Sequence, residues 1–238
     1  MKKIIKFSLM LSVLFLPYLT NAHGYWLETK GSGKVGEPVK VLMFYGEYAS
    51  EIRERGNKLD KMADILVSII DVEGKKTDLK MTQTETHWEG SFTPNQEGNY
   101  QILGINDSRE VQDWKKHNLG ITRPIQFLRT NYLVGNSAQS SSKNYQFLDL
   151  VASKQGEFIA LTAFKGNLPM DKTKITITNP QSWEKVKTTN EKGRVTFFPS
   201  GKGMYLVEVE WIDNQAGTFK DKEYESIRYK SETTLVVD

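Results

Sequence analysis

The sequence predicts an all-β protein. Three observations carry that reading. Short alternating or β-branched segments recur along most of the chain, and Gly, Pro and Asn punctuate them. Two stretches alone, 49–63 and 107–119, do not fit strands after the first 22 residues and the polar 137–144. The second half alone holds seven such segments in about 95 residues, the strand count of an immunoglobulin-like sandwich.

The first 22 of the 238 residues stand apart. Met1 to Lys6 is a basic head, Phe7 to Leu19 is mostly apolar, and Thr20-Asn21-Ala22 supplies small residues for a signal peptidase. The apolar run is short against the ~20 residues of a membrane-spanning helix. We therefore expect a cleaved signal peptide over 1–22 and an exported protein, in a bacterial periplasm, with no stable membrane insertion. These residues carry Lys2, Lys3 and Lys6 and no acid, so without them 29 basic side chains face 29 acidic ones. That balance argues against a nucleic-acid partner, because phosphate binding needs a basic surplus on one surface. The absence of cysteine excludes disulfides, thiolate metal ligands and a cysteine nucleophile.

The remaining chain reads as strands in order. Val35 to Tyr45 is a turn feeding an apolar strand. Ile65 to Val72 is β-branched and stops at Glu73-Gly74-Lys75. His87 to Phe92 alternates, breaks at Pro94 and resumes as Asn99 to Ile105. Ile125 to Val134 is extended. Ala49 to Ala63 is highly charged and reads as a short helix or an excursion between strands, Asp107 to Leu119 is polar, and both are expected as solvated surface, the usual place for binding groups. Ser137 to Asn144 has the composition of a flexible connection. It divides an N-terminal sandwich over 23–136 from a C-terminal immunoglobulin-like sandwich over 145–238, with the linker at 137–144. The second sandwich is expected from Tyr145–Ala152, Phe158–Phe164, Lys174–Thr178, Lys185–Thr189, Arg194–Phe198, Met204–Trp211 and Ser226–Val237.

Cleavage after Ala22 would free an amino group on His23. Amine and imidazole of one residue can chelate one ion, and both suit nickel, copper, cobalt or zinc. The start His23-Gly24-Tyr25 lacks a histidine at its third position, so further donors must come from elsewhere. His87 shares a strand face with Glu89, opposite Trp88, and is the next candidate. His117 follows Lys115 and Lys116, whose charges disfavour a cation. The aromatics Tyr25, Trp26, Phe44, Tyr45 and Tyr48 would line a pocket beside His23 or fill the core. Nucleophile-elbow, phosphate-loop, dinucleotide and His-Glu-x-x-His patterns are missing, and no enzymatic activity is expected.

Several segments together resemble a known family. They are His23-Gly24-Tyr25-Trp26-Leu27-Glu28, Phe92 to Tyr100, Phe164-Lys-Gly-Asn-Leu-Pro169, Thr188 to Arg194, Gly203-Met-Tyr-Leu206 and Thr233 to Val237. In this order the chain resembles the periplasmic NikM-like family, a periplasmic component of nickel/cobalt uptake systems. The resemblance implies capture of nickel or cobalt (copper or zinc being alternatives) and transfer to a membrane metal transporter. The family carries a Gly-His pair after its first long strand; here that place reads Gly46-Glu47. The expected ligands are therefore His23, His87, His117 and Glu47. Two other readings stand beside this one: a metal-free β-sandwich interaction or adhesion module at the cell surface, and a copper histidine-brace oxidative enzyme with an open coordination position.

Overall fold

The computed structural model describes residues 23–135 and 142–237. Its first half contributes β1 (Gly24–Lys30), β2 (Val39–Glu47), β3 (Ile52–Arg53), β4 (Leu66–Ile70), β5 (Lys76–Leu79), β6 (Thr82–Gln83), β7 (Trp88–Phe92), β8 (Gly98–Asn106), β9 (Gln112–Asp113) and β10 (Ile121–Val134). The second contributes β11 (Leu148–Gln155), β12 (Phe158–Lys165), β13 (Leu168–Pro169), β14 (Lys174–Thr178), β15 (Glu184–Thr188), β16 (Arg194–Phe197), β17 (Gly203–Asp213), β18 (Gly217–Phe219), β19 (Lys222–Tyr224) and β20 (Ser226–Val237). Two short 3₁₀ turns, Gly56–Met62 and Lys115–His117, are the helical elements among the described residues. The protein is an all-β sandwich. Of the segment 137–144, residues 137–141 lie outside the described residues, as does the segment 1–22.

A nine-stranded central sheet runs in the order β15-β14-β17-β20-β10-β8-β4-β5, with β9 paired to β10. The two halves of the chain meet in it, because β10 and β20 pair in parallel from Thr122↔Ser226 to Arg129↔Thr233. Alternation along these strands sends successive side chains to opposite faces. Leu128, Tyr132 and Val134 of β10 join Ile102, Val67 and Ile69 on one face. There they pack on Tyr25, Leu27, Val41 and Met43 of a five-stranded front sheet, β1-β2-β7-β6 with β3. Ile125 and Phe127 point the other way, with Ile175, Val207 and Val209, onto Leu148, Leu150 and Leu161 of a four-stranded back sheet formed by β11, β12, β13 and β16. The front sheet thus covers the first half of the central sheet and the back sheet covers the second half, on opposite faces. Strands β10 and β20 are consequently buried on both sides over much of their length.

The outer side of the front sheet is covered in part. Trp26, Leu42 and Phe44 pack against Leu206 of β17, and the Tyr48 hydroxyl donates to the Met204 carbonyl. Burial pushes the Tyr48 phenol up to about 12. The charged segment Ala49 to Ala63 departs from a purely solvated excursion. Leu59 and Met62 of the first 3₁₀ turn are fully buried in the first core, and Leu59 presents its carbonyl to Trp88 Nε1 at 3.0 Å. Two apolar residues among seven charged ones anchor the segment while its charges stay wet.

Candidate functional site

The register of β1 on β2 places Gly24 opposite Gly46. Gly46 holds φ +155°, and a Cβ there would run into the Ile52 carbonyl, so the chain can fold straight back into β3. This return brings Glu54 to the start of β1. His23 then sits between two carboxylates, with Nδ1 3.4 Å from Glu47 Oε1 and Nε2 2.8 Å from Glu54 Oε1. The Tyr45 ring stands 5.1 Å from the imidazole. Glu54 also takes Lys58 Nζ at 2.6 Å; Lys58 and His23 together hold its carboxyl below the usual carboxylate range.

Of the expected ligands, the structure brings His23 and Glu47 together and adds Glu54, which sequence reasoning missed. Its signal was the glycine that permits the tight return, not the local charge pattern. The two glutamates flank opposite nitrogens of the ring and so bracket it instead of converging on one point. Among the described residues, no group of three or more His, Asp or Glu side chains is placed to hold a metal ion.

His87 lies elsewhere. Its ring packs 5.3 Å from Phe44, while His23 packs on Tyr45. Phe44 and Tyr45 are consecutive on β2 and point to opposite faces, so the two histidines occupy opposite faces of the front sheet. His87 Nδ1 is 2.8 Å from Thr86 Oγ1, and Nε2 is 3.6 Å from Glu89. Trp88 faces the first core, as the alternation required. His117 is exposed at the end of the second 3₁₀ turn, in the connection from β9 to β10.

Beyond His23, a cleft of about 840 Å³ opens between the β2–β3 turn and the front face of β14, β17 and β20. Its floor is polar: Thr176, Thr178, Glu208, Glu210, Lys230 and Glu232 line it. Lys230 bridges Glu208 and the fully buried Glu232, the latter at 2.8 Å. Burial opposes the Lys230 charge, and the two carboxylates overcome it and hold the ammonium above its ordinary value. Gly24 closes over this triad: a Cβ at Gly24 would overlap Glu232 Oε1. The site therefore starts at the first residues of β1 and rests on a buried ion cluster of β20.

No protein-family model matches the chain, and no curated protein matches it. Among solved structures it is similar to the D0–D1 domain of intimin, at 9% identity and a TM-score of 0.26, covering 91% of this chain and 100% of that one. It is similar to the BSP domain of a biofilm associated protein, at 10% identity and a TM-score of 0.23, covering 90% of this chain and 29% of that one. It is also similar to native alpha-2-macroglobulin from Escherichia coli spanning domains NIE–MG1, at 9% identity and a TM-score of 0.24, covering 92% and 99%. The fold class rests on the chain's own strand pairing. No helix among the described residues is long and apolar enough to cross a membrane.

Proposed function

We propose that the protein is an exported β-sandwich interaction module that binds a macromolecular surface and performs no turnover. One observation carries this reading. The end of the second half formed by the β11–β12, β14–β15 and β16–β17 connections presents exposed aromatic rings. Phe158 is 49% exposed, Phe198 61% and Trp183 76%. Phe158 and Phe198 stand edge to face at 5.8 Å, as the pairing Ile159↔Phe197 requires. The Trp183 turn is joined to the same end, because Asn179 Nδ2 donates to Ser200 Oγ at 2.8 Å. Asn179 Oδ1 accepts the backbone N–H groups of Gln181 and Trp183, which fixes the turn before any partner arrives. Large aromatic side chains gathered at the loop end of a sandwich favour a binding role, since a partner would recover the hydrophobic burial that water denies them. The test is adhesion of beads carrying residues 23–238 to printed bacterial and host polysaccharides and to immobilised cells. Wild type should bind, and Trp183→Ala combined with Phe198→Ala should reduce binding at least tenfold with unchanged stability. Equal binding by the double variant would remove the tip from the interaction.

A second reading, capture of nickel or cobalt for an uptake transporter as in the NikM-like family, is favoured by the place of His23 between Glu47 and Glu54. Were the chain cut after Ala22, the new amine would add a nitrogen donor beside that imidazole. Calorimetric titration of nickel, cobalt, copper and zinc separates the two readings. Metal capture predicts tight 1:1 binding that weakens between about pH 7 and 5 as nitrogen donors protonate, and that one extra residue before His23 abolishes. No tight binding, or binding indifferent to the extension, ends that reading.

A further inference from the structure

Among the described residues, the back face of the central sheet is covered over its second half. Over its first half it leaves a second cleft, of about 610 Å³, against the 145–147 segment that leads into β11. Volumes of this size suit small organic ligands. Its floor is apolar, with Leu103, Ile105 and Phe127 along neighbouring strands and Leu66 67% exposed at its edge. Leu66 lies on this face because Val67 and Ile69 of the same strand face the first core. Phe147 forms one wall, 4.8 Å from the Tyr229 ring.

Two side chains of this cleft each keep one polar atom without a partner among the described residues. Arg123 lies over the Phe219 ring at 3.9 Å and donates from Nη2 to the Asp107 carbonyl at 3.3 Å. It forms no ion pair among the described residues, and its Nε is buried with no hydrogen-bond partner there. Gln146 donates from Nε2 to the Gly104 carbonyl at 2.9 Å, which fixes its amide and leaves Oε1 buried and unpaired. Lys76 and Lys80 at the rim are offset by Asp78 and Asp107, so the Arg123 charge is the surplus of the cleft. A guanidinium with no ion pair among the described residues and a free Nε–H, beside an unpaired amide oxygen in one apolar cleft, defines a complementary molecule: an anionic acceptor, an N–H donor and an apolar body.

We propose that this cleft binds an N-acyl amino acid with an apolar side chain. Its carboxylate meets Arg123, its amide N–H donates to Gln146 Oε1, and its side chain rests on Leu66, Leu103 and Phe147. The inference is independent of the aromatic tip, which lies on other loops.

The probe is N-acetyl-L-phenylalanine, titrated into the protein by calorimetry beside its neutral C-terminal amide and beside phenylacetate, which lacks the N–H. The acid should bind saturably, the neutral amide and phenylacetate each about tenfold more weakly, and Arg123→Gln should cost the acid about tenfold. Arg123→Lys should recover only part, because an ammonium lacks the guanidinium fork. The wild-type protein supplies a second readout that needs no variant: the Arg123 Nε–H and Gln146 side-chain amide resonances should shift on addition of the acid. Absence of saturable binding at about 10 mM, far above the range a built site occupies, overturns the proposal. So does equal binding of acid and neutral amide, indifference to Arg123→Gln, or shifts confined to residues outside the cleft.

Discussion

Replacing Arg129 with alanine is expected to destabilise the protein by about 3–5 kcal/mol, because it would leave the Asp149 carboxylate buried and unpaired. Both side chains are fully buried. Arg129 Nε donates to Asp149 Oδ1 at 2.7 Å and Nη2 to Oδ2 at 2.6 Å, a bidentate pair. Nη1 reaches Gln101 Oε1 at 2.8 Å and Nη2 also reaches the Lys143 carbonyl at 2.9 Å. Asp149 Oδ2 accepts the Tyr145 backbone N–H at 3.0 Å as well. The guanidinium thus joins β8, β10 and β11 to residues 143–145, holding the entrance of the second half against the central sheet. Urea unfolding followed by circular dichroism measures the loss, which should also lower Tm by about 10 °C.

A double replacement distinguishes a structural clasp from a merely tolerated pair. Arg129→Met with Asp149→Leu removes both charges and refills the space with apolar groups. It should restore most of the stability lost in Arg129→Ala, since burying two ions costs desolvation that an apolar pair avoids. A loss under about 1 kcal/mol for Arg129→Ala would mean that water reaches Asp149 readily and that the clasp contributes little.

Strand positions were legible because their signals are local. Lys174–Thr178 and Ser226–Val237 begin and end where alternation and flanking turn residues place them. Pairing was not legible. β10 and β20 are about a hundred residues apart, and the choice to run them side by side in parallel depends on contacts that no window contains. Read separately, each belongs to its own sandwich; in the structure they form one sheet through both halves. Buried charges were hidden for a related reason. Arg129 and Glu232 sit in strands where alternation would send a charge to solvent, yet both faces of those strands are covered. An arginine following Phe127 and Leu128 was the available signal. At the site, Gly46-Glu47 lies beside His23, while Glu54 came to His23 only through the return of β3, and opposite faces of one strand separated His87 from it.

Glu232 should make stability fall as pH rises from about 4.5 to 7. It lies directly opposite Glu208 in the β17–β20 register, beneath Gly24, with one oxygen on Lys230 and the other without a partner among the described residues. Burial pushes its carboxyl up to about 7, with Lys230 pulling the other way. The folded state then binds this proton more tightly than the unfolded chain does. Its contribution is fully present below the unfolded value near 4.5, declines up to about 7 and stays flat above it. The full decline is on the order of 3 kcal/mol. Lys230, held above its ordinary value, titrates far outside this window. Glu54, Glu89 and Glu110 act with the opposite sign: lysine donors lower each of them, so their contribution is lost as pH falls below about 4.5. The two trends overlap little, which makes the window near pH 5–7 diagnostic. Urea midpoints for wild type should decline across it, while Glu232→Gln should be nearly flat and the more stable of the two at pH 8, since Lys230 keeps Glu208. Parallel profiles for the two proteins would show that Glu232 ionises as an ordinary carboxylate and that water already reaches the space beneath Gly24. A flat Glu232→Gln profile would instead make the seating of β1 on β20 proton-linked, because the strand that starts the site closes over the carboxyl that takes up the proton.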